Sequence, residues 1–285
     1  MNVMTQFSPN STTLPEAARF GLNYAREQLA GKKILVLTGA GVSTESGIPD
    51  YRGEGRVERH PMTFETFMGD EAARKRYWAR SYVGWSVISN AKPNASHFAL
   101  AQAESLGRLT HIITQNVDSL HQKAGSKRIV DLHGRLDEVI CMTCRRIFDR
   151  VSIDQLIESI NPGIQKDFSV EFTPDGDAEI EATSDFNTPM CVDCDGILKP
   201  NVVFFGESVP ADRVNFSMNV LGQSTALLVA GSSLAVNSGM RFAKAAHKSG
   251  VPIVIVNLGP TKADYLAIAK IEAPTSLALE ELLID

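Results

Sequence analysis

Residues 33–52 read KILVLTGAGVSTESGIPDYR. Ile34 to Leu37 is an unbroken apolar run, and Thr38 hands over at once to Gly39-Ala40-Gly41. A short continuous apolar run ending in glycines fits a strand buried on both faces of a parallel sheet and entering a tight turn. Three later runs behave alike. His111–Thr114 leads into Gln115-Asn116-Val117-Asp118, Ala226–Ala230 into Gly231-Ser232-Ser233, and Pro252–Val256 into Asn257-Leu258-Gly259. Helical stretches such as Met240–Lys248 intervene. The pattern predicts an α/β class: a doubly wound, Rossmann-like parallel sheet with a ligand crevice at the carboxyl ends of its strands.

Two stretches break the rhythm. About 70 residues separate the first strand from His111, where a simple βαβ unit needs about 30. The excess predicts an insertion: a loop with Gly53, Gly55 and Pro61, then a helical segment from Phe64 to Ser89. Residues 135–200 hold all the cysteines and predict a small inserted zinc module. The expected organisation is a Rossmann-like domain from residues 1–52, 90–134 and 201–285, a cofactor-loop and helical insertion at 53–89, and the zinc module at 135–200. Ahead of the first strand, Thr13 to Ala30 predicts a helix capped by Thr13, with Pro15 in its first turn and Phe20, Tyr24 and Leu29 on its inner face. From Asp167 to Asp185 the chain is acidic without any Lys or Arg, which predicts a solvated loop.

The chain has 285 residues, 44% hydrophobic and 21% charged, which excludes wholesale disorder, collagen and coiled coil. Its 28 basic residues are outnumbered by 33 acidic ones, against what a phosphate-neutralising nucleic-acid binder needs. No apolar run nears the roughly 18 residues that span a bilayer. The first basic residue is Arg19, and no basic segment precedes an apolar one near the start. A cytoplasmic protein is expected, a monomer with neither nucleic-acid nor membrane partners.

Cys141, Cys144, Cys191 and Cys194 form two Cys-x-x-Cys pairs. Redox or disulfide pairs are the alternative; four soft ligands delivered two by two suit one tetrahedral zinc. Four thiolates leave no open position, so this zinc is expected to be structural. In the Gly39–Arg52 stretch, glycines after a strand allow backbone N–H groups to approach a pyrophosphate. The dehydrogenase fingerprint sets its third glycine three residues after the second, whereas Gly47 follows Gly41 by six. The loop therefore suits a dinucleotide but not routine hydride transfer. Asp50 and Arg52 add opposite charges beside it. Asn116 and Asp118 sit at a strand end, where functional polar groups belong. His133, in Asp131-Leu132-His133-Gly134, is the candidate general base, since imidazole titrates near neutrality. His121 reads as structural.

GAGVSTESGIPDYR, TQNVD, LHG, the two cysteine pairs, VVFFGE, GSSL and VNLG occur in that order. This set resembles the sirtuins, the NAD-dependent protein deacylases, over roughly residues 28–285. Tyr51, where most sirtuins carry Phe, together with TESG and LKPNVVFFGE, resembles the class II branch in its bacterial form. That branch also holds lipoamidase and mono-ADP-ribosyltransferase types. The resemblance implies that Gly39, Ala40, Ser43 and Thr44, with Gly41 in the same loop, hold the pyrophosphate of NAD. Ile48, Asp50, Asn116 and Asp118 would form the nicotinamide pocket, with Tyr51 and Arg52 placing the cofactor and Gln115 and Asn116 on the nicotinamide ribose. Gly231, Ser232 and Ser233 would meet phosphate and the adenosine side. Asn257, Leu258 and Gly259 would bind the adenosine ribose, and Thr275 would touch adenine. Val203, Phe205, Gly206, Ala235 and Val236 would form the channel for acyl-lysine proteins or peptides. His133, with Asn116 and Asp118, would be catalytic, and the products would be nicotinamide, free lysine and O-acyl-ADP-ribose. Tyr77 and Arg80, three apart on a predicted helix, resemble the pair that binds the distal carboxylate in acid-acyl sirtuins; a core Tyr beside a surface Arg is the alternative.

Overall fold

The computed structural model describes Leu14 and residues 16–50, 61–164 and 185–284. Its helices are α1 (Glu16–Leu29), α2 (Phe64–Gly69), α3 (Glu71–Asn90), α4 (Ala95–Ser105), α5 (Leu120–Lys123), α6 (Arg150–Ile160), α7 (Ala211–Gly222), α8 (Asn237–Lys248) and α9 (Thr275–Leu283). Its strands are β1 (Ile34–Thr38), β2 (Leu109–Thr114), β3 (Ile129–Asp131), β4 (Gly134–Cys141), β5 (Ile147–Asp149), β6 (Leu198–Val202), β7 (Ala226–Ala230), β8 (Ile253–Val256) and β9 (Ala269–Ile271).

The apolar runs form the centre of a parallel sheet in the order β3-β2-β1-β7-β8-β9. Alternate side chains along each strand feed two cores. Leu35, Leu37, Ile113, Leu227 and Val229 pack on Phe242 and Ala246 of α8 and Val220 of α7. Val36, Ile112, Leu228 and Val254 pack on Leu22 of α1, Leu100 of α4 and Leu279 of α9. The order reverses between β1 and β7, so the crevice forms there. Register aligns the strand ends: Thr38 lies between Thr114 and Ala230, and Ala230 lies beside Val256. Gly39, Gln115, Gly231 and Asn257 therefore emerge on one level.

The inner face of α1 differs from the expected one. Phe20 and Tyr24 are 82% and 43% exposed, while Ala18, Leu22, Ala25 and Leu29 are buried. The helix turns this stripe of alanines and leucines to β9 and α9. Thr13 and Pro15 lie outside the described residues. The Phe64–Ser89 segment is two helices, broken at Asp70, whose carboxylate accepts from the Ala72 and Ala73 amides and caps α3.

The two insertions share one core. Phe67, Tyr77 and Trp78 pack with Leu136 and Val139 of β4, Ile153 and Ile157 of α6, and Leu198 of β6. Strands β5, β4 and β6 form a small antiparallel sheet beside them. The Arg150 side chain is wholly buried there. It donates to Asp154 at 2.7 Å and to the Ser81 hydroxyl and carbonyl, and its guanidinium lies 5.2 and 5.5 Å from the Trp78 and Trp85 rings. The acidic stretch from Asp167 lies outside the described residues, except Asp185.

Behind the end of β1 sit two buried histidines. His121 Nε2 meets the Thr38 hydroxyl at 3.0 Å. His97 stacks on His121 with ring centroids 4.9 Å apart and places Nε2 3.5 Å from Ser43 Oγ. Burial pulls both imidazoles down, His97 from 6.5 to about 4. An unfolded histidine takes its proton near pH 6.5, before the folded one does, so acid favours the unfolded chain. Urea midpoints should therefore fall as pH drops from about 6.5 toward 4. Replacing His97 by Gln should flatten that slope; an unchanged slope would count against it. Arg150→Ala strips Asp154 of its guanidinium, and should cost about 3–5 kcal/mol in urea unfolding. A loss under about 1 kcal/mol would place the pair on the solvent side of the balance.

Candidate active site and metal centre

After Thr38 the chain makes two short 3-10 turns, Ala40–Val42 and Thr44–Ser46. They press against the loop after β7. The Gly41 amide donates to the Gly231 carbonyl at 2.8 Å. A Cβ on Gly39 would lie 2.7 Å from Ser232 Cβ, and one on Gly231 2.5 Å from the Val42 nitrogen. Glycine is thus required for the two loops to touch, as a dinucleotide cradle needs. Gln115 spans the same seam, donating to the Thr38 carbonyl at 3.1 Å and the Ser232 hydroxyl at 2.9 Å. Ala40 and Ser233 are half-buried at the rim, and Thr44 is exposed. At the far end, Asn257 donates to the Leu258 and Gly259 carbonyls, and the Gly259 amide donates to Glu272 at 3.3 Å.

Ser43 is the hub of the pocket beside β2. Its hydroxyl donates to Asp118 at 2.7 Å and accepts from the Asn116 side-chain amide at 3.0 Å. Asp118 is 5% exposed, and its other oxygen accepts from the Leu120 amide at 2.9 Å. Burial raises its carboxyl above the usual range, against these hydrogen bonds. Ile48 is buried in the core that the two insertions share. Asp50 is half-buried nearby, while Tyr51 and Arg52 lie outside the described residues.

His133 stands in the turn between β3 and β4. Nδ1 lies 2.9 Å from the Gln115 carbonyl and Nε2 2.8 Å from Ser238 Oγ. A carbonyl only accepts, so Nδ1 carries the hydrogen and Nε2 keeps its lone pair. Burial lowers this imidazole's pKa, and the Gln115 carbonyl partly offsets that. The His133 carbonyl accepts from the Val203 amide at 2.7 Å, fixing the histidine to the substrate-side loop. That loop is clamped: Glu207 accepts from the Phe204 amide at 2.9 Å and from Lys199 at 3.0 Å. Phe205 and Val236 stand 46% and 44% exposed on opposite sides, with Gly206 exposed and Ala235 half-buried beside them.

Thr275 and Tyr77 are packed within the fold. Thr275 is buried and its hydroxyl pairs with Ser96 at 2.7 Å, within the α4–α9 packing. Tyr77 is 3% exposed, its ring enclosed by Phe67 and Phe204 at 5.3 and 5.1 Å. Arg80 is half-buried one turn on. Reading the sequence missed Ser238, His97 and the Lys199–Glu207 pair. Glu207 lay in plain view in VVFFGE, but nothing local pairs it with Lys199.

The four cysteine sulfurs lie within 4.8 Å of one another. Cys141 and Cys194 are 3.6 Å apart, Cys144 and Cys191 3.8 Å. A tetrahedral zinc with bonds of about 2.3 Å sets its ligand sulfurs about 3.8 Å apart. The donor set therefore fits zinc, and four thiolates close its coordination.

A Sir2 family model matches residues 39–238. The chain is 48% identical over 252 residues to a protein named NAD-dependent protein deacetylase 1 from Mycobacterium avium (strain 104), covering 87% of this chain and 89% of that one. It is 50% identical to the NAD-dependent protein deacetylase of Xanthomonas axonopodis pv. citri (strain 306), over 87% and 86% of the two chains. Among solved structures, one described as Sir2-p53 peptide-NAD+ superposes with a TM-score of 0.73 at 30% identity, covering 90% and 94%. Another, Sir2 bound to acetylated peptide, gives 0.73 at 28% identity, covering 92% and 96%. With its glycine seam, its paired Asn116 and Asp118 and its four-cysteine centre, the chain belongs to the Sir2 family.

Proposed function

We propose that this chain is an NAD-dependent protein deacetylase that removes acetyl groups from lysine side chains. The observation that carries this is His133: a buried imidazole with its tautomer fixed by the Gln115 carbonyl and its Nε2 lone pair accepting from the Ser238 hydroxyl at the crevice. The names of relatives at 48–50% identity support the reading, as do family structures described with acetylated peptide and with NAD.

NAD, when bound, supplies the ribose carbon that accepts the acyl oxygen as nicotinamide leaves. The chain's residues do the rest. The Gly39–Gly231 seam seats the pyrophosphate against backbone N–H groups. Asn116 and Asp118, both held by Ser43, would hold the carboxamide of nicotinamide, Asp118 as acceptor and Asn116 as donor. His133 Nε2, now on Ser238, would be the base for a ribose hydroxyl. The acyl-lysine segment enters as an added strand between residues 203–206 and 235–236, with Phe205 and Val236 shielding the amide from water. Such positioning can contribute up to about 7–11 kcal/mol of barrier lowering. The zinc stays outside this chemistry and holds the small lobe.

Acetyl is the acyl group we assign. Tyr77 serves the aromatic core, which favours the structural reading of the Tyr77–Arg80 pair. No described helix is long and apolar enough to cross a membrane. A monomer working in the cytoplasm completes the proposal.

Incubating the protein with NAD and acetyl-lysine peptide should release nicotinamide and form acetyl-ADP-ribose in equal amounts, seen by mass spectrometry. Nicotinamide release with ADP-ribosylated protein, or lipoyl-lysine cleavage in preference to acetyl, would replace the proposal. His133→Ala should lower turnover by roughly 10²–10⁴-fold with NAD still bound; near-parent turnover would remove His133 from the mechanism. Because burial lowers the His133 pKa, the neutral base persists in acid. The acid limb of kcat/KM should therefore fall below the ordinary imidazole value of 6.5. Metal analysis should give one zinc per chain, lost in Cys141→Ser along with the near-ultraviolet signal of the small lobe. Full structure without metal would contradict the zinc's role.

A further inference from the structure

The chain is acidic overall, 33 acids against 28 bases, yet residues 208–263 reverse the balance. They hold Arg213, Arg241, Lys244, Lys248 and Lys262 against Asp212 alone. Two of these cations are exposed on the middle of α8, where helix design does not call for them. Lys248 in the last turn is favoured by the helix dipole. Arg241 and Lys244 are not in the last turn. They are three apart and so share a face as like charges, and α8 contains no acid to offset them. Among the described residues neither forms an ion pair.

Their place gives them a use. Asn237, Met240, Arg241 and Lys244 line one open depression of about 470 Å3. That depression begins beside Ser238, the partner of His133, and Val236, on the rim of the crevice. Arg241 lies about 4.5 Å and Lys244 about 9 Å along the helix axis from Ser238. An extended peptide advances about 3.3 Å per residue. A peptide running along α8 would bring side chains about one and three residues from the acyl-lysine to these cations.

We propose that this face of α8 selects substrates carrying Asp or Glu one to three residues from the acetylated lysine. The proposal rests on the deacetylase reading above and adds its substrate class. Complementary charge at a rim acts mainly on encounter and specificity, so the effect belongs in KM and fades with salt.

The test uses two acetyl-lysine peptides that differ only in carrying Asp or Lys at the first and third positions on either side. The acidic peptide should show a KM about 10-fold lower, a gap that closes in about 0.5 M salt. The double variant Arg241→Glu, Lys244→Glu should invert the preference, and Arg241→Gln, Lys244→Gln should erase it, with the KM for NAD as in the parent. Equal KM values for the two peptides in the parent protein would overturn the proposal. So would a double variant that shifts the KM for NAD and not the peptide preference, which would assign the cations to the dinucleotide. Should neither peptide release nicotinamide, the deacetylase reading falls. Fluorescence-anisotropy titration of the labelled peptides then decides alone: tighter binding of the acidic peptide sustains the charge preference, and equal binding overturns it.

Discussion

The site depends on how closely two backbone turns can approach. At the reversal of strand order, the loop after β1 and the loop after β7 touch through the Gly41 amide and the Gly231 carbonyl. Side chains at Gly39 or Gly231 would drive them apart, since the space a Cβ needs is already filled. Everything else is referenced to that contact. Gln115 stitches the seam from β2, and its carbonyl sets the His133 tautomer. Ser43, at the start of the second turn, orients Asn116 and Asp118. The glycine seam and His133 therefore share one reference frame, which is what a reaction relying on positioning requires.

The second constraint is the turn that carries His133 from the large sheet into the small one. β3 ends at Asp131 and β4 starts at Gly134, so the histidine sits where the two lobes meet. Gly134 has φ of 85°, and a Cβ there would fall 1.9 Å from the Asn201 carbonyl oxygen. With the His133 carbonyl bonded to the Val203 amide, β6 and the loop after it are drawn against the catalytic turn. A shift of the small lobe would move the substrate loop and the histidine together.

Much of this was legible because it is local. Continuous apolar runs ending in glycine placed the strands, and two Cys-x-x-Cys pairs placed the metal centre. Of the residues the ordered motifs named, Gly39, Gln115, Gly231 and Asn257 lie level at the strand ends. What stayed hidden is set by distant partners. The face of α1 is chosen by β9 and α9, so Phe20 and Tyr24, the obvious apolar candidates, lie outside while alanines lie inside. The insertions around α3 and β4 look separate along the chain, yet their apolar side chains pack into one cluster. Thr275 stands in a suitable segment but spends its hydroxyl on Ser96. Ser238 has no distinguishing neighbours in sequence; only the fold sets it against His133.

The substrate-side loop shows how a costly interaction can be retained for geometry. Lys199 is 4% exposed, and burial lowers its pKa although Glu207 lies 3.0 Å away. Packed apolar residues of similar volume would often serve stability as well as such a pair. They could not do what these two do together. Glu207 takes the Phe204 amide, and Lys199 takes the Val202 carbonyl while lying over the Phe204 ring at 4.7 Å. Backbone groups at 202 and 204 are satisfied from within, and the Val203 amide between them is left for the His133 carbonyl. Polar anchors at 202 and 204 hold this short segment between its pairing with Gly134 and the bridge of Phe205 to Thr63. An extended edge of that kind is the surface on which another chain can add as a strand. The pair therefore belongs to recognition as much as to the core, and its cost is the cost of a rigid edge beside the histidine.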